Sequence, residues 1–203
     1  MIRSKGFPAS VSPLFLFERD APLKGHSAYK QAKAGDGDAA LALVIDLAVA
    51  WLYEKRDRFE PGLVFIAPHA KEATGDNAIP QTLASVCAAI YQGSTDTEVV
   101  QSDRVYHTGA DPMERMAARA QFQGQIVSGA QYVLVDDVTS LGGTLAELSN
   151  HIQLFGGVVK DVVVLVNAGR SPALVPPKKF INLIKERFDD EFTEIFGIEP
   201  HAL

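Results

Sequence analysis

Tyr132-Val133-Leu134-Val135-Asp136-Asp137-Val138-Thr139-Ser140-Leu141-Gly142-Gly143-Thr144-Leu145 is the run that decides how this chain folds. Four apolar residues lead straight into two adjacent carboxylates, a hydroxyl- and glycine-bearing turn follows, and helix formers resume at once. The pattern predicts a buried parallel strand over 132–135, a loop over 136–144 and a helix over 145–155. Ligand sites of open parallel sheets lie outside the carboxyl ends of the strands, so this loop is the first place to look for chemistry.

The same reading extends in both directions. Residues 62–67 (GLVFIA) form a short apolar run closed by Pro68, which predicts another buried strand. Residues 158–166 (VVKDVVVLV) are β-branched and apolar enough to be covered on both faces. A largely buried helix is expected over 38–53, entered through the Gly-Asp-Gly-Asp turn at 35–38, and a second over 80–91 with Pro80 in its first turn. Further strands are expected at 98–101 and 125–127, and a helix at 112–121. Leu14 to Phe17 reads as an edge strand within an N-terminal arm of residues 1–25. Beyond Pro176-Pro177 an amphipathic helix is expected over 179–188. Strands alternating with helices imply one α/β domain with an open, mostly parallel sheet flanked by helices and joined by right-handed crossovers.

Composition bounds the function. With 203 residues, 47% hydrophobic and 22% charged, the chain has the makeup of one globular domain. A net charge of −6 argues against a general electrostatic grip on nucleic acid, which needs clustered Lys and Arg. A single cysteine, Cys87, excludes a disulfide framework or a cysteine-rich zinc site within one chain, and its apolar neighbours mark it as a buried thiol. No apolar run suits a signal peptide or membrane span, so a cytoplasmic location is expected.

Each part of the 136–144 loop has a physical use. Adjacent carboxylates are costly to hold together unless a cation or hydroxyl donors meet them, and a sugar diol with Mg²⁺ supplies both. Gly142 and Gly143 let backbone N–H groups turn inward, Thr139, Ser140 and Thr144 add hydroxyls, and the helix start brings its positive dipole end to the same spot. The run resembles the phosphoribosyl-pyrophosphate signature of the type I phosphoribosyltransferases.

That resemblance implies a Mg²⁺-dependent enzyme that moves a phosphoribosyl group from phosphoribosyl pyrophosphate to a nucleobase-like acceptor. Asp136 and Asp137 would hold the ribose hydroxyls directly or through the metal, and Thr139, Ser140, Leu141, Gly142, Gly143 and Thr144 would cradle the 5′-phosphate. Pro68, His69, Ala70 and Lys71 fall where the family grips pyrophosphate. Residues 102–112, with Arg104, Tyr106, His107 and Gly109, fall where it carries a lid, and Arg115 and Arg119 on the helix that follows are candidates to reach an anion. The chain ends, 1–25 and 169–203, would supply an arm and a variable hood or packing helix around a core of 26–168, and the family's habit is a homodimer. Two positions depart from the pattern. Leu141 stands where threonine is usual, and Ser140 where the hypoxanthine-guanine enzymes carry aspartate, which disfavours that subclass.

A longer resemblance is to the ComF-like branch of the family. It is carried by Tyr29-Lys30-Gln31-Ala32-Lys33 with Gly35, by Gly75-Asp76-Asn77, and by the arginine-containing segment before Phe122. The branch's cysteine zinc module is absent, and Lys30 and Lys33 read more readily as solvated helix-face charges than as ligands. Two other functions fit the same loop: a non-catalytic protein that senses phosphoribosyl pyrophosphate or a nucleotide, favoured by Leu141 and a sparsely basic pyrophosphate loop, and a hydrolase with water as acceptor.

Overall fold

A computed structural model describes residues 1–69, 77–102, 119–169, 174–188 and 190–203. Its centre is a five-stranded sheet in the order β1-β7-β6-β2-β3, with every neighbouring pair parallel. The strands are β1 (Leu14–Phe17), β2 (Val64–Ile66), β3 (Ser94–Asp96), β6 (Gln131–Thr139) and β7 (Val158–Asn167). Two short strands, β4 (Val100–Gln101) and β5 (Phe122–Gln123), form a separate antiparallel ribbon. The fold is thus the α/β architecture with a mostly parallel sheet that the alternation of elements implies.

Helices cover both faces of the sheet. Asp36 accepts a hydrogen bond from the Ala39 N–H and caps α3 (Gly37–Val44), which continues through a π turn (Ile45–Val49) into α4 (Ala50–Glu54). With α5 (Ile79–Ile90) and the short helices α1 (Ala21–Lys24) and α2 (Tyr29–Lys33), they cover one face, where Leu43, Leu52, Leu83 and Cys87 pack on Val133 and Val135. On the other face α6 (Gly143–Leu154) lays Leu145, Leu148 and Ile152 against Tyr132 and Leu134. Each such fully buried side chain contributes about 1.5–3 kcal/mol relative to exposure.

Several expectations need correction. The strand expected at 98–101 is present over its last two residues, as β4 of the ribbon, and the strand beside β2 is the unanticipated polar Ser94-Thr95-Asp96, because an exposed edge strand needs only backbone pairing and carries no apolar signature. Residues 125–127 are not a strand. Gly124, at φ +133° and packed against the Glu98 carbonyl, ends β5 before them. β6 does not stop at Val135 but runs on to Thr139, with Asp136 opposite Val164 and Thr139 opposite Asn167. Of the helix expected over 112–121, residues 112–118 lie outside the described residues, and Arg119, Ala120 and Gln121 are not helical.

Both chain ends meet on α6. Arg3 bridges to Ile198, the N–H groups of Ser4 and Lys5 donate to Asn150 Oδ1, and Gln153 donates to the Gly6 carbonyl. Buried Glu147 accepts from Arg3 at 3.1 Å and from Arg119 at 2.7 and 2.8 Å. Two further α-helices, α7 (Lys178–Phe188) and α8 (Glu191–Phe196), and a 3-10 turn (Pro200–Ala202) follow among the described residues.

Candidate functional site

Asp136 and Asp137 are the sixth and seventh of the nine residues of β6, beyond the stretch paired with β2 and toward the carboxyl edge of the sheet. Strand alternation separates their side chains. Asp137 follows Val133 and Val135 onto the face covered by α3 and α5, while Asp136 follows Tyr132 and Leu134 toward α6. Asp137 is buried, at 4% exposure, and almost fully engaged. Its Oδ2 accepts from Lys33 Nζ at 3.0 Å and Asn77 Nδ2 at 2.9 Å, and its Oδ1 from the Val138 N–H at 2.9 Å. Among the described residues Asp136 accepts from one donor, the N–H of Asp137 at 2.9 Å. Burial first, and the neighbouring Asp137 charge second, push the Asp136 carboxyl well above the ordinary carboxylate range, with Lys33 acting weakly the other way.

Just past the carboxylates the chain makes a pocket of donors. Thr139 is buried and, among the described residues, its hydroxyl has no partner. It sits beneath the turn, since a Cβ placed on Gly142 would lie 3.7 Å from Thr139 Oγ1. Gly142 takes φ +72°, a left-handed conformation that glycine adopts without strain, and α6 starts on the next residue with no side chain capping its first N–H groups. Among the described residues nothing lies within 4 Å of the position a Gly143 Cβ would take. Gly169 packs so closely against the loop that a Cβ there would collide with the Ser140 carbonyl oxygen. Leu141 is 69% exposed at the tip of the loop.

The remaining sequence candidates divide. Pro68 and His69 follow β2, the strand beside β6, and so reach the same edge of the sheet. The His69 carbonyl accepts from the Gln101 N–H at 2.7 Å, and its Nδ1 turns back to 3.4 Å from the Ala67 carbonyl. Ala70, Lys71, Gly75, Asp76, Arg104, Tyr106, His107, Gly109 and Arg115 lie outside the described residues. Arg119 is a correction. Its guanidinium is committed to Glu147 and to the carbonyls of Met1, Phe196 and Gly197, so it ties the chain ends together and does not reach the carboxylate edge.

Comparison with known proteins gives partial likenesses, and no family model matches. The chain is 34% identical over 177 residues to protein TraN of Escherichia coli, across 83% of its own length but 39% of TraN. It therefore spans well under half of that relative. Over 50 residues, a quarter of the chain, it is 36% identical to a hypoxanthine/guanine phosphoribosyltransferase of Methanocella arvoryzae, covering 26% of that protein. Among solved structures it is similar to the adenine phosphoribosyltransferase of Leishmania tarentolae, with a TM-score of 0.43 and 15% identity over 94% of this chain and 90% of that one. Likeness of this degree assigns no activity.

Sequence reading underrated Lys33 and passed over Asn77 as a partner of the carboxylates. Lys33 ends α2, and Asn77 precedes α5, where its Oδ1 accepts the Ile79 N–H. They reach Asp137 from 104 and 60 positions away in sequence, so no local pattern reveals the pairing. The one available signal was that both fall in the segments of the longer resemblance. The donor set suits a hard divalent cation shared with a ligand: two oxygen-bearing carboxylates, one of them held up in pKa by burial first and by its neighbour's charge second, which a positive charge would relieve. Among the described residues no cluster of three or more His, Cys, Asp or Glu side chains could hold a metal by itself, so such a cation would take further oxygens from ligand and water. No helix among the described residues is long and apolar enough to cross a membrane.

Proposed function

We propose that this chain binds phosphoribosyl pyrophosphate together with Mg²⁺ at the carboxyl edge of β6 and transfers the phosphoribosyl group to a nucleobase-like acceptor. The observation that carries the reading is the buried Thr139 hydroxyl, two residues beyond the carboxylate pair and without a partner among the described residues, beneath the left-handed Gly142 turn that leads into the uncapped start of α6. A hydroxyl left unpaired in the interior costs about 1–3 kcal/mol, which a bound phosphate oxygen recovers. Thr139, Ser140, Gly142, Gly143 and Thr144 would take the 5′-phosphate, with Leu141 contributing backbone only. Asp136 and Asp137 would take the ribose diol and the cation.

When bound, the cation supplies positive charge to the departing pyrophosphate. The protein's own part is to anchor the phosphate so that anomeric carbon, nucleophile and leaving group stay in line, and to place two carboxylates where positive charge develops on the ribose. Pro68, His69, Ala70 and Lys71 are the proposed pyrophosphate loop, and Arg104, His107 and Arg115 the proposed lid contacts. The segment from Leu174 into α7 is the part of the chain end that can cover the acceptor, since Leu174 abuts the Gly142 turn. The ComF-like assignment is supported by the convergence of Lys33 and Asn77 on Asp137. A cytoplasmic homodimer acting in nucleotide metabolism remains part of this proposal.

Titration calorimetry with phosphoribosyl pyrophosphate and Mg²⁺ tests the site. Saturable uptake by the wild type and its loss in a folded Asp136→Asn/Asp137→Asn variant are expected; uptake unchanged in that variant rejects the assignment. One observation favours a second reading, a sensor without turnover: Leu141 presents an exposed apolar side chain at the loop tip in place of a hydroxyl. Pyrophosphate release with a panel of bases supports transfer, whereas binding without release supports sensing.

A further inference from the structure

We infer that Lys33 is a built-in cation that occupies the metal and diol position on Asp137 and yields it when ligand arrives. The inference deepens the reading above and rests on it for the identity of that ligand.

An ionised carboxylate oxygen has room for about two in-plane hydrogen-bond partners. Asp137 Oδ2 already has two, Lys33 Nζ and Asn77 Nδ2, and Oδ1 is held by the Val138 N–H. A hydroxyl or cation approaching Oδ2 must therefore displace one of them. Asn77 is fixed at its other end, because its Oδ1 accepts the N–H that opens α5. Lys33 is the one free to leave. Its side chain is 39% exposed, it hangs on a flexible four-carbon stem, and it stands at the end of a five-residue helix. Without such a counter-charge, the buried Asp137 carboxylate would lie beside Asp136 uncompensated.

An ammonium bonded to the carboxylate also repels a second cation at the same oxygen. Metal alone should consequently bind poorly, and metal carried in by an anionic sugar phosphate should bind well, because the ligand's negative charge gives the released Lys33 a new partner. Lys33 is a positioning residue that makes the carboxylate edge selective for a metal–anion complex over the free ion.

The test is Mn²⁺ binding to the intact chain, followed by electron paramagnetic resonance without any sugar phosphate. Lys33→Met should bind Mn²⁺ at least about tenfold more tightly than wild type, given the Coulomb repulsion removed at a few ångströms. Lys33→Arg, which keeps the charge, should bind it as weakly as wild type. Lys30→Met removes a charge from the same helix without touching Asp137 and should change nothing. Equal Mn²⁺ affinity in wild type and a folded Lys33→Met variant overturns the inference, as does an equal gain in Lys30→Met. If Lys33→Met gains Mn²⁺ affinity but no variant takes up phosphoribosyl pyrophosphate, the cation role stands and the donor reading falls.

Discussion

Asp136 carries its proton at a cost that depends on pH. Its folded-state pKa lies above the unfolded value, so between the two the native chain holds a proton that the unfolded chain has lost. Stability without ligand should fall as pH rises from the ordinary carboxylate range through the raised value. Asp136→Asn keeps an oxygen for the Asp137 N–H and removes the charge. Thermal denaturation should show the variant more stable than wild type above that window and flatter across it. A wild-type excess in stability at neutral pH would contradict the sign. At this scale the sequence exposed the carboxylate pair, the glycine turn and Thr139, because their order along one strand and one loop is local. Lys33 and Asn77 stayed hidden because their meaning arises only when α2 and the start of α5 close over β6.

Among the elements, α6 does two jobs: its first turn lines the proposed phosphate site, and its next turn holds Glu147 between two arginines. Glu147→Gln puts a neutral amide where Arg3 and Arg119 now share a buried carboxylate. Urea denaturation should register a loss of about 3–5 kcal/mol, the usual result of breaking a buried ion pair from one side. A loss within the scatter of surface substitutions would mean that water serves the guanidinia instead. The elements that sequence reading located well, β2, α5, α6 and β7, are those with a strong apolar period. It missed β3 because Ser94-Thr95-Asp96 joins the sheet through its backbone, and it misplaced β5 because Gly124 ends the strand by close packing against Glu98.

Across the whole molecule, Cys87 reports on global opening. It is fully buried in the helical layer over Val133 and Val135, and desolvation pushes its thiol far above the ordinary range. A thiol reagent should modify it only through unfolding, at a rate that follows denaturant stability; rapid labelling of the folded chain would show that the α3–α5 layer opens locally. The sheet order adds a consequence for biosynthesis. Among the described strands β1 comes first in sequence, yet the one it pairs with, β7, comes last. While the chain is still on the ribosome, Leu14-Phe15-Leu16-Phe17 has left the exit tunnel as a bare apolar ribbon with nothing to pair against. Nascent chains stalled before Val158 should therefore be bound by holding chaperones or self-associate.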